Sequence, residues 1–182
     1  MKRLTLLRHA KSSWDDPVAR DFDRPLNARG KRAARRMGRY IRDEQLDFDH
    51  LISSPAVRCT ETLDRLWEGL GREIEAAWDR RVYLASAATL MDVIHDAPDT
   101  AQSLLVCGHN PGFEDLILSL IPDRAGDPLR DAVETKFPTA ALAEIRFDID
   151  AWSEVRSASG VLTRFVRPRD LDSALGPDTA SH

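Results

Sequence analysis

Arg8, His9, Arg58 and His109 are the residues whose types and settings in this chain could do chemistry together. Each follows an apolar run. Leu4-Thr5-Leu6-Leu7 stops at Arg8-His9, and Leu51-Ile52-Ser53-Ser54 passes through Pro55 to Arg58. Ser103-Leu104-Leu105-Val106-Cys107-Gly108 runs into His109-Asn110-Pro111-Gly112. Arginine offers a planar fork of donors that matches the oxygens of an anion, and burial favours a neutral imidazole. Two guanidinium groups around two imidazoles describe an anion pocket, and the fork geometry points to a phosphoryl group. A neutral imidazole beside phosphorus can attack it and form a phosphohistidine. Neighbouring guanidinium charge keeps that imidazole unprotonated and offsets charge on the equatorial oxygens. On this reading His9 is the nucleophile, Arg8 and Arg58 form a clamp, and His109 donates to a phosphoryl oxygen. Ser12 and Asn110 are further phosphate contacts. The competing chemistry is a zinc site on His9 and His109. The two arginines would repel the cation, and the spacing supplies no third ligand.

Such residues converge if the three runs are parallel strands, because ligands of an open α/β sheet bind outside the carboxyl ends of its strands. Residues 11–25 then read as a polar loop over the first strand end, carrying a lone Trp14. Asn27 is a fitting N-cap for a helix with Ala33, Ala34, Met37, Tyr40 and Ile41 on its apolar face. A strand over 50–53 is followed by Ser54-Pro55, which has the form of a helix start, and that helix runs to about Gly71. A third strand at 74–77 and a helix over 87–97 follow, with His95 on its surface. The strand over 104–107 leads to a helix whose stripe is Phe113, Leu116, Ile117, Leu120 and Ile121. Residues 122–138 read as loop, and 140–147 with 161–166 as antiparallel strands. The alternation implies an α/β fold of three α/β/α layers, with a mostly parallel central sheet and an antiparallel element. It occupies one domain over 1–169, with a flexible tail over 170–182.

Composition narrows the function classes. With 182 residues the chain can bury a substantial core, and its net charge of −4 gives no broad electrostatic footprint for nucleic acid. Seven arginines and lysines between 29 and 42 form a stripe on the first helix, read as a solvated face. A nucleic-acid binder is the alternative, and steep salt dependence would reveal it. Cys59 and Cys107 sit within apolar patterns and read as small buried hydrophobes rather than a redox or metal pair. No apolar stretch approaches the roughly 20 residues of a membrane span, and the N-terminus lacks a signal-peptide core. A cytoplasmic protein without membrane partners is expected.

The motifs Leu-Arg-His-Ala at 7–10, Ser-Ser-Pro-Ala-Val-Arg at 53–58 and Gly-His-Asn-Pro-Gly at 108–112 resemble the histidine phosphatase superfamily, the phosphoglycerate-mutase-like fold. The matches at 8–14, 21–26, 27–30 and 136–139 are similar to its small SixA-type branch of phosphohistidine phosphatases, and the likeness spans about 3–169. It implies a catalytic quartet of Arg8, His9, Arg58 and His109, with phosphoryl transfer to His9, then hydrolysis, and no metal or organic cofactor. Larger members of the family carry an acid after the third strand or in an inserted cap. Residues 81–86 hold no carboxylate here, and no segment is long enough for a cap domain.

A phosphorylated imidazole can take its proton from solvent and leave as a neutral ring, whereas an alkyl ester must leave as a basic alkoxide. The expected substrates are therefore phosphoramidates, or esters with good leaving groups. Asp15 or Asp16 could instead serve as acid. Mutase chemistry fits poorly, since without a cap water should intercept the phosphoenzyme. An open pocket suits phosphohistidine displayed on a protein, with a small phosphate ester as the alternative and a monomer as the expected state. A non-catalytic phosphate-binding module is the reading from another class. It has no need of a nucleophile.

Overall fold

The computed structural model describes residues 1–17 and 19–177. Among them six strands form one sheet: β1 (Lys2–Arg8), β2 (His50–Ser53), β3 (Ala76–Trp78), β4 (Ser103–Gly108), β5 (Leu142–Phe147) and β6 (Gly160–Val166), in the order β3-β2-β4-β1-β5-β6. The pairs β1·β4, β2·β4 and β2·β3 are parallel, while β1·β5 and β5·β6 are antiparallel. This is the expected mixed sheet. No cap domain is present among the described residues.

The continuous apolar runs of β1 and β4 follow from burial on both faces. Leu4, Leu6, Leu104 and Val106 pack with α3 (Ala87–His95), α4 (Gly112–Leu120) and α5 (Pro128–Thr135). Leu7, Leu105 and Cys107 face the opposite layer, made by α1 (Ala28–Asp43) and α2 (Val57–Leu70). Asn27 caps α1 by accepting from the Gly30 N–H, and Ala33, Ala34, Met37 and Ile41 are buried as the periodicity requires. α1 and α2 cross with their backbones in close approach. A Cβ on Gly38 would lie 2.1 Å from the Leu66 carbonyl oxygen, and one on Gly69 would lie 2.0 Å from that of Arg35. Two glycines thus set how near α1 comes to α2, which carries Arg58.

Several expectations need correction. α2 begins at Val57 and has no side-chain cap, because its N-cap position falls on Ala56 rather than on Ser54, whose hydroxyl lies against His109. The stretch read as loop contains α5, which Asp127 caps by accepting from the Leu129 and Arg130 N–H groups. His95 is half-buried, with Nε2 2.8 Å from the Val155 carbonyl oxygen. The chain does not become a tail at 170. A short helix α6 (Pro168–Leu171) and a 3-10 turn over Ser173–Leu175 fold back, and Leu175 is buried with Ala10, Leu26, Ala33, Ala34 and Ala140. The rest of the expected tail, 178–182, lies outside the described residues. No helix among the described residues is long and apolar enough to cross a membrane.

Candidate active site

The hydrogen-bond ladder continues past the strand ends and sets the first residues of the site. The His9 N–H donates to the Gly108 carbonyl (3.0 Å), the Ser54 N–H to that of Cys107 (3.0 Å), and the Ala140 N–H to those of Arg8 and His9 (3.1 and 3.0 Å). Beneath this, the Ala10 N–H donates to the Thr62 hydroxyl, which in turn donates to the Arg58 carbonyl (2.9 and 2.6 Å). The loop after β1 is thereby tied to the first turns of α2.

His9 is buried, and its Nδ1 lies 2.7 Å from the Ala10 carbonyl oxygen. A carbonyl can only accept, so Nδ1 carries the hydrogen and the free lone pair is on Nε2. Burial first, and then nearby positive charge that includes Arg8 and Arg58, lowers its pKa to about 3, outweighing the Ala10 bond. The imidazole is therefore neutral, as a nucleophile must be. The His109 ring stands 5.2 Å away, centroid to centroid, and Tyr83 meets it edge-on at 5.4 Å. His109 Nε2 is 2.8 Å from the Ser54 hydroxyl, which also accepts from the Ala56 N–H. With Ser54 donating to Nε2, the His109 hydrogen sits on Nδ1.

Arg8 donates to the Phe137 carbonyl (3.0 Å). Arg58 is buried and donates to the Asp21 carbonyl and carboxylate, at 2.7 and 2.9 Å. The same carboxylate accepts from the Tyr83 hydroxyl (2.5 Å) and from Arg24 (3.1 Å). Burial raises the Asp21 pKa, but the Tyr83 and Arg58 hydrogen bonds outweigh it and hold the group at about 2. Asp21 is a brace for Arg58 and too acidic to be a proton donor. Three nitrogen atoms of the quartet, Arg8 Nε, Arg58 Nε and His109 Nδ1, are buried without a hydrogen-bond partner among the described residues. Buried donors are ordinarily paired. Three such donors on residues surrounding a neutral imidazole make a site able to complete its bonding with the oxygens of an anion.

The structure thus brings together the four residues singled out from the sequence. Ser12 is buried and accepts from Arg24 at 2.5 Å, leaving its own hydrogen to donate. Asn110 is placed differently from the expectation. Its amide donates to the Phe137 carbonyl (2.9 Å) and to Glu114 (3.4 Å), and its oxygen accepts from the Glu114 N–H (3.3 Å). These bonds hold the turn into α4 and occupy the side chain. Asp15 is exposed, as is Asp16. The cysteines are buried and free, but Cys59 is more than a packing group: its Sγ is 3.6 Å from His109 Nε2. Burial raises the Cys59 thiol, yet hydrogen bonds with Cys107 and His109 bring it below its usual value. No cluster of three or more metal-ligating side chains occurs among the described residues. Sequence reasoning did not assign Asp21, Tyr83 or Ser54. Asp21 lies in a stretch, 21–26, that carried part of the resemblance. Tyr83 lies within residues 81–86, the segment without a carboxylate.

Comparison with known proteins agrees with this geometry. The model of the histidine phosphatase superfamily (branch 1) matches residues 4–81. An uncharacterized protein of Mycobacterium tuberculosis is 32% identical over 164 residues, covering 90% of this chain and all of its own length. A solved structure described as the "putative phosphohistidine phosphatase SixA" of Agrobacterium tumefaciens is 30% identical, with a TM-score of 0.76 over 92% of this chain and 98% of that one. The corresponding Nakamurella structure shares the fold at a TM-score of 0.80 with 24% identity, over 92% and 96% of the two chains. The chain belongs to the histidine phosphatase superfamily, with the α/β fold of its SixA-like members.

Proposed function

We infer that the protein is a phosphatase that works through a covalent phosphohistidine on His9 and acts on phosphohistidine in proteins. The observation that carries this reading is the state of His9: Nδ1 is committed to the Ala10 carbonyl, and the ring stays neutral to about pH 3. Nε2 attacks phosphorus, the bond from phosphorus to the leaving nitrogen breaks, and that imidazole takes a proton from solvent. Water then attacks the phosphoenzyme, releasing phosphate and restoring His9. Arg8, Arg58 and the Nδ1–H of His109 donate to the equatorial oxygens, where charge grows in the transition state. The reaction calls on no metal, since guanidinium groups supply the positive charge. Asp21 is spent on Arg58 and so is not available to protonate an alkyl ester, which favours leaving groups that need no acid.

The test is turnover of a phosphohistidine peptide, an aryl phosphate and a sugar phosphate by wild type and His9→Ala, with chelator present. Wild type cleaves the first two faster than the third, His9→Ala is inert, and quenched wild type carries acid-labile phosphate on His9. Faster cleavage of the alkyl ester refutes the substrate class. Activity in His9→Ala refutes the nucleophile.

A further inference from the structure

A cleft of about 240 Å³ adjoins the catalytic centre and has no part in the chemistry above. Arg8 belongs to both. The other basic side chains on its walls are Lys11, Arg29, Lys136, Arg167 and Arg169, and among the described residues no Asp or Glu lines it. Such a lining is unexpected on a chain of net charge −4. Part of the charge is already committed. Arg167 is paired with Asp170 at 2.8 Å, and Arg29 donates to the carbonyls of Leu175 and Gly176. Lys11 and Lys136 are exposed and take part in no ion pair among the described residues. Pro138, Pro168, Leu175 and Pro177 supply an apolar surface between the charges.

We propose that this cleft receives acidic side chains of the polypeptide that flanks the phosphohistidine. The inference rests on the protein-phosphohistidine reading of the His9 centre and extends it to sequence preference. A second phosphoryl group is the other anion that positive charge would attract. The catalytic centre shows how this fold holds such a group, with buried arginine forks. In the cleft, the uncommitted charges are the exposed Lys11, Lys136 and Arg169, two hydrated point charges on flexible stems and one solvated guanidinium, none of them a buried fork. They suit carboxylates on an extended chain, whose aliphatic stems rest on the proline surface. Because Arg8 is shared, a bound flank lies beside the phosphoryl group.

The experiment compares phosphohistidine peptides that differ only in flanks of Glu or of Lys. Wild type at low salt favours the acidic peptide about 10-fold in kcat/KM, chiefly through KM, and the preference fades as salt rises toward about 0.5 M. The double variant Lys11→Glu/Lys136→Glu abolishes or inverts the ratio. Arg32→Glu, an equal charge change at an exposed position of α1, leaves it as in wild type. Equal rates for both peptides, or a ratio unmoved in the double variant, overturn the proposal. A second arm separates its fate from that of the phosphohistidine reading: inhibition of aryl phosphate hydrolysis by the same peptides without phosphate. If neither phosphopeptide is cleaved, that reading falls, and salt-sensitive inhibition by the acidic peptide alone, lost in the double variant, still supports the cleft. Absence of such inhibition refutes it. Stronger inhibition by pyrophosphate than by the acidic peptide, lost in the double variant, would give the cleft to a second phosphoryl group and refute the acidic flank.

Discussion

Replacing His9 with Asn removes a buried imidazole whose pKa falls from 6.5 in the unfolded chain to about 3 in the folded one. A depressed pKa means that the unfolded state binds the proton more readily, so the wild type loses stability as pH falls through the window between 6.5 and about 3. The loss is absent above pH 6.5 and complete below the folded value. At 1.36 kcal/mol per pH unit, two units of this window, down to pH 4.5, correspond to about 3 kcal/mol. His9 is 7% exposed, so solvent screening takes little from that figure. The assay is urea unfolding of wild type and His9→Asn between pH 4.5 and 7.5. Subtracting the two curves cancels the carboxylates and the other histidines, which both proteins share. The stability of wild type relative to His9→Asn should drop by about 3 kcal/mol from pH 7.5 to pH 4.5. Parallel curves would refute the reasoning. They would mean that His9 titrates like a free histidine and is partly protonated, and so not nucleophilic, near pH 6.

Asp21→Asn weakens the brace on Arg58, and kcat/KM should fall about 10- to 100-fold by the same factor for phosphohistidine peptide and aryl phosphate. A loss confined to the poorer leaving group would make Asp21 an acid instead. Ser54→Ala frees His109 Nε2 to carry the hydrogen, so kcat should drop about 10-fold or more while the thermal midpoint moves little; unchanged kcat would reject the tautomer assignment. Gly38→Ala drives a Cβ against the Leu66 carbonyl and should cost about 2–3 kcal/mol in urea unfolding, after the gain in helix propensity; a neutral result would reject the close crossing of α1 and α2.

Much of the site is legible in the residues themselves. Arg8 and His109 each end an apolar run, and Arg58 opens the helix after one. A basic side chain at such a place has either a partner or a ligand, a constraint visible without coordinates. The caps and stripes of α1 and α4 follow from short-range spacing, which is why Asn27 and the Phe113–Leu116–Ile117–Leu120 stripe stand where the pattern puts them. α5 escaped because Asp127-Pro128, its cap and first turn, reads locally as a break. What remained hidden depends on partners remote in the chain. Asp21 meets Arg58 across 37 residues and Tyr83 across 62, and Ser54 meets His109 across 55. Within the matching stretch 21–26, nothing local distinguishes Asp21 from Asp23. Its low pKa, and the loss of its use as an acid, arise when the sheet order places β4 between β1 and β2 and sets α2 against the first loop. Strand order in a parallel sheet is a matter of crossover and packing, with no local code. The basic cleft has the same origin: Lys11, Lys136 and Arg169 are unremarkable surface cations until packing lays the 168–177 segment beside the end of β1.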